Sequence, residues 1–332
     1  MTDSKVRRLD LSRREALLGI GAVLATGISA CHREDRGEAG VLRIGYLANV
    51  THSPMIVGVA SGRIAKAIAP LKLETRVFRA GPSVVEAILS RSIDLGTSGP
   101  APVVITQSRY GDGTLEVQSG CASGGASLVI RKGIKVETAA DLRGKVLASP
   151  QIGSTQDISL RKYLRAAGLD SVDRGGDVKV YAFAPATILA EMRRGEVDGA
   201  WLPEPWGTRI VRVLGASRFV DERDLWPNHE FSSALAVTRP SFRATRKEDV
   251  DVLMAAIAAE IERAQANPEE TREDAFRAIE KLTGAGPHEI FAEAWTHVSF
   301  TKDQLRSAVL AFASDACDLG MLPKVPGPAL FA

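Results

Sequence analysis

From Val41 onward the chain alternates short apolar runs with stretches of helical period. Strand candidates are Val41–Leu47, Leu71–Phe78, Ile93–Leu95 and Leu115–Ser119, with helices beginning near Ser53, Gly81 and Ala101 between them. A second cycle follows. Strands Ser127–Arg131, Lys145–Ser149, Val178–Phe183 and Val197–Leu202 interleave with helices near Thr138–Leu142 and over Ser154–Ala167, Pro185–Arg194 and Glu204–Leu214. A parallel pair of strands needs a crossover between them, usually a helix, so this alternation reads as α/β, with two units in series, each a mainly parallel sheet flanked by helices. Phe231–Thr238 adds one more strand. From Lys247 the pattern is helical, rich in Ala, Glu and Arg, with no further strand signal. Such a tail packs most simply back onto the first unit, which leaves the middle segment as a second lobe joined by two crossings and a cleft between the lobes. A chain of 332 residues is long enough for two such cores.

The N-terminus carries its own message. Lys5, Arg7, Arg8, Arg13 and Arg14 precede the uncharged run 16–30, which at 15 residues is shorter than the ~20 a membrane-spanning helix needs. Residues 1–30 therefore read as a signal peptide. Ser12-Arg13-Arg14-Glu15-Ala16-Leu17-Leu18 looks like a twin-arginine export motif, and Ile28-Ser29-Ala30-Cys31 looks like a lipobox with Cys31 as the lipidation site. Residues 31–40 then form a polar tether, and the expected location is periplasmic or extracytoplasmic, held to the membrane through the N-terminal lipid. With 42 Lys+Arg against 40 Asp+Glu, the chain lacks the basic excess that phosphate backbones select, which argues against nucleic acid. Cys121 and Cys317 read as two buried thiols and not as a disulfide.

Ligands of open parallel sheets bind beyond the carboxyl ends of the strands, where loops enter helix N-termini. Three such loops carry hydroxyls: Asn49-Val50-Thr51-His52-Ser53-Pro54, Gly96-Thr97-Ser98-Gly99-Pro100, and Ser149-Pro150-Gln151-Ile152-Gly153-Ser154-Thr155. Free N–H groups and the positive end of the helix dipole make an anion site that needs no Lys or Arg. A fourth segment, Trp201-Leu202-Pro203-Glu204-Pro205-Trp206, offers indole walls from Trp201 and Trp206 and a carboxylate from Glu204. That carboxylate either caps its helix or faces the cleft, where it suits a ligand with an amine. No phosphate-binding P-loop, nucleophile elbow, dinucleotide fingerprint or metal-spaced Cys/His cluster is present, so neither cofactor nor metal is expected and nothing points to catalysis.

With these features the chain resembles the solute-binding proteins of bacterial ABC importers, and within them the nitrate, taurine and alkanesulfonate group. The likeness is carried by Arg43-Ile44-Gly45-Tyr46 with Thr51-His52, by Ala140-Asp141-Leu142-Arg143-Gly144-Lys145-Val146 leading into Gly153-Ser154-Thr155, by Gly195-Glu196-Val197-Asp198-Gly199-Ala200-Trp201 with Pro203-Glu204-Pro205-Trp206, and by Asp318-Leu319-Gly320-Met321-Leu322. The resemblance implies a type II periplasmic-binding fold, with lobe 1 over 41–133 plus 229–332 and lobe 2 over 134–228, closing on ligand by hinge bending. It also implies a monomer that delivers a small oxyanion-bearing solute, an organosulfonate or taurine-like compound, to a permease and ATPase. Matching positions nominate Thr51, His52, Ser98, Ser154, Thr155 and Glu204 as ligand-binding residues, with Phe231 as a further wall. Two other readings stay open. The fold could serve a desulfinase-like hydrolase with Cys121 as nucleophile and His52 as base, or a thiamine-precursor carrier stacking its ligand on Trp201 or Trp206.

Overall fold

The computed structural model describes residues 38–284 and 286–332. The export segment, Cys31 and most of the tether lie outside the described residues. Among those described, no helix is long and apolar enough to cross a membrane.

The strands are β1 (Val41–Leu47), β2 (Lys72–Phe78), β3 (Leu95–Ser98), β4 (Glu116–Gly124), β5 (Ala126–Ile130), β6 (Val146–Ser149), β7 (Lys179–Ala182), β8 (Gly199–Pro203), β9 (Ser217–Asp221), β10 (Ser232–Thr238) and β11 (Val298–Phe300). The helices through the two cycles are α1 (Ser53–Ala60), α2 (Arg63–Ala67), α3 (Gly81–Leu89), α4 (Pro100–Tyr110), α5 (Thr155–Ala166), α6 (Pro185–Arg194) and α7 (Trp206–Leu214). The tail adds α8 (Pro240–Thr245), α9 (Lys247–Ala266), α10 (Pro268–Thr283), α11 (His288–Trp295) and α12 (Arg306–Asp318).

Two sheets result, one ordered β11-β4-β10-β3-β1-β2 and the other β7-β6-β8-β5-β9. Both are mixed, which corrects the expectation of mainly parallel sheets. Strands β1, β2 and β3 run parallel, as do β6, β7 and β8, each group being joined by crossover helices. The chain leaves the first sheet through β4 into β5 and returns through β9 into β10. Strand β5 inserts antiparallel between β8 and β9, and β10 inserts antiparallel between β3 and β4. The expectation that the tail holds no strand also fails, since β11 adds to the edge of the first sheet against β4. At three residues it is too short to show a period of two. Strand β9, five residues of sequence SRFVD, escaped the sequence reading because it shows no clean apolar–polar alternation.

The passage from β4 to β5 takes place at Gly124 and Gly125, with φ of +77° and +74°. That region of backbone space is open to glycine and costly for residues with a Cβ. A Cβ on Gly124 would also stand 2.5 Å from Arg223 Cδ and 2.8 Å from the His297 carbonyl. Because β5 pairs with β8 and β9, the change of sheet falls here, ahead of position 134.

The tail covers the first sheet. Helices α9 and α10 pack on α1, bringing Ile257, Ile261 and Ile279 against Leu42, Ile44 and Met55 in one apolar cluster. The Arg63 guanidinium forks onto the Glu260 carboxylate of α9 at 2.6 and 2.7 Å, a bidentate geometry that fixes the two helices relative to each other. On the other face, α12 packs on α4 and contributes Phe312 to a stack with Trp226 and Phe231, with ring centroids 5.2 to 6.2 Å apart. Burial of each such ring contributes roughly 1.5–3 kcal/mol.

Candidate functional site

A cleft of about 620 Å³ opens at the carboxyl ends of the parallel strands of both sheets. That volume lies within the ordinary range for small-molecule sites. Six strand-to-helix turns line it. They are the turn after β1 (Asn49, Thr51, His52), after β2 (Arg79, Ala80, Gly81), after β3 (Gly99), after β6 (Gln151, Ser154, Thr155), after β7 (Ala184, Pro185) and after β8 (Trp206). Six helix N-termini therefore ring one space. A helix N-terminus carries about half a positive charge and stabilises a nearby anion by about 0.3–1 kcal/mol, an effect that Asp157 in the first turn of α5 and the Glu204 carboxylate capping α7 offset at those two ends. Proline near the start of α1, α3, α4 and α6 removes a donor from each without altering the dipole.

The hydroxyls are held in specific roles. Ser154 is the N-cap of α5 and accepts from the Asp157 N–H at 3.3 Å, which leaves its own O–H free to donate. Asp157 in turn accepts from the Gly153 N–H and the Ser149 hydroxyl, both at 3.0 Å, so the loop has one conformation. Thr155 reaches across the cleft, its Oγ1 accepting from the Ala101 N–H of α4 at 3.3 Å. This approach requires glycine at position 99, where a Cβ would stand 2.3 Å from Thr155 Oγ1. Thr51 donates to Asn49 Oδ1 at 2.7 Å.

His52 lines the cleft with its Nδ1 2.7 Å from Thr97 Oγ1. Burial drops its pKa to about 3, so the ring is neutral across the physiological range. A neutral imidazole donates through one nitrogen only, and it donates into the cleft when Thr97 gives its proton to Nδ1.

Three nominated residues stand elsewhere. Ser98 is buried behind the wall, close under Gly81, and donates to the Gly99 carbonyl at 3.3 Å. Glu204 is fully buried and turned toward its own lobe. Its Oε2 accepts from the Thr208 N–H at 3.0 Å, and Arg218 lies 2.7 Å from its Oε1. It is a helix cap inside an ion pair and offers nothing to an amine in the cleft. Phe231 belongs to the aromatic stack under α12 and does not line the cleft. Of the two indoles, Trp206 lines the cleft with the Arg209 guanidinium 5.1 Å from its ring centroid. Trp201 lies in the core, its Nε1–H donating to Glu222 at 2.8 Å.

Among the cleft residues not nominated from the sequence, two stand out for their chemistry. Ser233, on the returning strand β10, presents a buried hydroxyl with no hydrogen-bond partner. No local pattern marks it, because β10 runs antiparallel to β3 and brings its amino end, not a carboxyl end, to the site. Arg79 is the first residue beyond β2, and the rule that ligands gather at strand ends applied to it as well. Among the described residues lining the cleft, Arg79 carries the sole formal charge, and no Asp or Glu is present.

A model of the NMT1-like family matches residues 35–280. The chain belongs to the NMT1-like family. It is 30% identical over 233 residues to a Brucella abortus (strain 2308) protein provisionally named a binding protein, an alignment covering 69% of each chain. It is 27% identical over 168 residues to the taurine-binding periplasmic protein of Escherichia coli (strain K12), covering 51% of this chain and 50% of that one. Among solved structures, the alkanesulfonate-binding protein SsuA of Xanthomonas axonopodis pv. citri, bound to MOPS, matches with a TM-score of 0.74 at 22% identity, covering 89% of this chain and all of that one. The likeness to the solute-binding proteins of ABC importers thus holds at the level of family and of fold.

Proposed function

We propose that this NMT1-like protein is the extracytoplasmic solute-binding component of an ABC importer, capturing a small oxyanion-bearing solute of the organosulfonate or taurine-like class. The observation that carries the reading is a cleft ringed by six helix N-termini and free hydroxyls, with a cationic side chain and no carboxylate among its described lining residues. Such a lining binds negative charge with backbone and hydroxyl donors. Apolar walls from Leu47, Phe78 and Trp206 leave room for a carbon body beside the head group. The names of the matched relatives, which bind taurine and alkanesulfonate, support the same class.

In this account one lobe carries the first sheet and the tail, and the other carries β5 to β9. The strand pairing supports a lobe boundary at Gly124–Gly125 in place of 134. Closure is a population shift, driven by contacts that exist when both lobes touch the ligand. Ligand delivery to a permease and an ATPase, export through residues 1–30, lipid attachment at Cys31 and a monomeric state complete the proposal. The role is binding and not catalysis. Cys121, the thiol that a hydrolase would use, sits in the core of the first sheet away from the cleft, and burial pushes its pKa up to about 12.

Titration calorimetry over propanesulfonate, taurine, nitrate, bicarbonate and a phosphonate tests the reading. The expected result is saturable one-to-one binding of at least one sulfonate. Absence of heat and of thermal stabilisation with every compound would refute it.

A further inference from the structure

We infer that Arg79 sets the charge selectivity of the cleft, so that the preferred ligand is a net anion and the zwitterion bearing an ammonium group on the same tail is discriminated against. The inference rests on the oxyanion reading above and narrows it.

Its basis is the way this chain disposes of its charges. Three arginines on or beside strands are committed to carboxylates: Arg43 forks onto Asp94, Arg131 pairs with Asp198 and Arg218 pairs with Glu204. Arg76 and Arg209 are instead stacked on the rings of Phe78 and Trp206, at 4.8 and 5.1 Å from the centroids. Arg79 is different. It is exposed at the cleft wall, and no ion pair or side-chain hydrogen bond joins it to another described residue. An unpaired guanidinium beside a cavity is a fork of donors without an acceptor, and a sulfonate or carboxylate oxygen pair completes it.

The second observation is what an ammonium would meet. Glu204, the acidic residue nearest in sequence to the cleft-lining tryptophan, is buried against Arg218 and Thr208 and faces away. His52 is neutral. An ammonium entering with the anion would face Arg79 and the positive ends of α1, α3, α4 and α6, the ends of α5 and α7 being offset by Asp157 and Glu204, with neutral hydroxyls and carbonyls, those at the end of α10 included, as its only acceptors among the described lining residues. A compound lacking that ammonium avoids the penalty and gains the whole field.

The test compares propanesulfonate with 3-aminopropanesulfonate, which differ by the ammonium alone, by calorimetry at low and high salt. Wild-type protein is expected to bind propanesulfonate at least about tenfold more tightly. Arg79→Gln should weaken propanesulfonate by about ten- to a hundredfold, flatten its salt dependence and narrow the gap between the two ligands. Arg79→Lys should recover part of the loss, and Arg79→Glu should move preference toward the amino compound. Melting temperatures should hold, because the side chain is exposed and unpaired. Wild-type preference for the amino compound overturns the inference. So does an Arg79→Gln variant that binds propanesulfonate within twofold of wild type at the same salt slope, and in that case the oxyanion reading survives. If wild type takes up no anion at all, both fall together.

Discussion

Gly99→Ala probes a contact that the two lobes make across the cleft. The Gly99 backbone, at φ −68° and ψ 164°, accepts alanine without strain, so the effect is purely one of space. The added Cβ would stand 2.3 Å from Thr155 Oγ1 and 3.3 Å from Thr155 Cβ, against an ordinary separation of 3.4 Å or more. Rotating the Thr155 side chain clears the oxygen, but it leaves the tight carbon pair and takes away the acceptor of the Ala101 N–H. Either that hydrogen bond is lost or the lobes separate by about 1 Å, a cost of about 1–3 kcal/mol on the conformation in which Gly99 and Thr155 touch. At 1.4 kcal/mol per factor of ten, affinity for propanesulfonate drops by about 5- to 150-fold, while the melting temperature of the free protein changes little because opening relieves the clash. A double-mutant cycle sharpens the assay. With Thr155→Ala already present, adding Gly99→Ala should cost far less, since the colliding oxygen is gone. The reasoning is refuted if Gly99→Ala binds within twofold of wild type, or if its cost is the same in both backgrounds.

The remaining expectations concern charge. His52 ionises only near pH 3, so affinity for a sulfonate should stay level from pH 5 to 8; a rise as pH falls through 6.5 would show that the imidazole charges in the cleft. Glu222 is buried, and desolvation raises its pKa from 4.5 to about 8 despite hydrogen bonds from Trp201 and Ser159. The folded chain thus keeps a proton that the unfolded chain releases, so stability falls as pH rises from about 4.5 to 8. Glu222→Gln should remove that slope and gain about 2–4 kcal/mol at pH 8 relative to pH 5, and superimposable pH–stability curves in denaturant titration would contradict this. Removing Glu204 with Glu204→Ala leaves the half-buried Arg218 without its carboxylate and uncaps α7, which should cost about 2–4 kcal/mol in chemical unfolding while the preference between propanesulfonate and its amino analogue stays put. A change in that preference would place Glu204 at the ligand after all.

The parts of the fold governed by local chemistry were legible in the sequence. Strand β1 and helix α6 begin and end where apolar runs, Pro185 and Gly195 say they should. Thr51, His52, Ser154 and Thr155 reach the cleft because a hydroxyl at a strand-to-helix turn is a local pattern with a fixed place in an α/β unit. Glu204 sits at the same kind of turn yet points inward, since its partner Arg218 arrives from β9, a strand whose five residues give no periodic signal. Ser233 and the mixed pairing of β10 depend on which strands become neighbours, a property of the whole chain. Arg79 was legible in principle. The loop Arg79-Ala80-Gly81-Pro82 has no hydroxyl, so the pattern that marks the other turns skips the side chain that alone among the described lining residues bears a formal charge.

The account stands most directly on where an anion rests. A crystal structure with propanesulfonate, read through the anomalous signal of its sulfur, should place that atom between the lobes, with the sulfonate oxygens accepting from the hydroxyls of Ser154, Thr155 or Ser233. A sulfur on an outer face, or a cleft holding only solvent at saturating ligand, would contradict it.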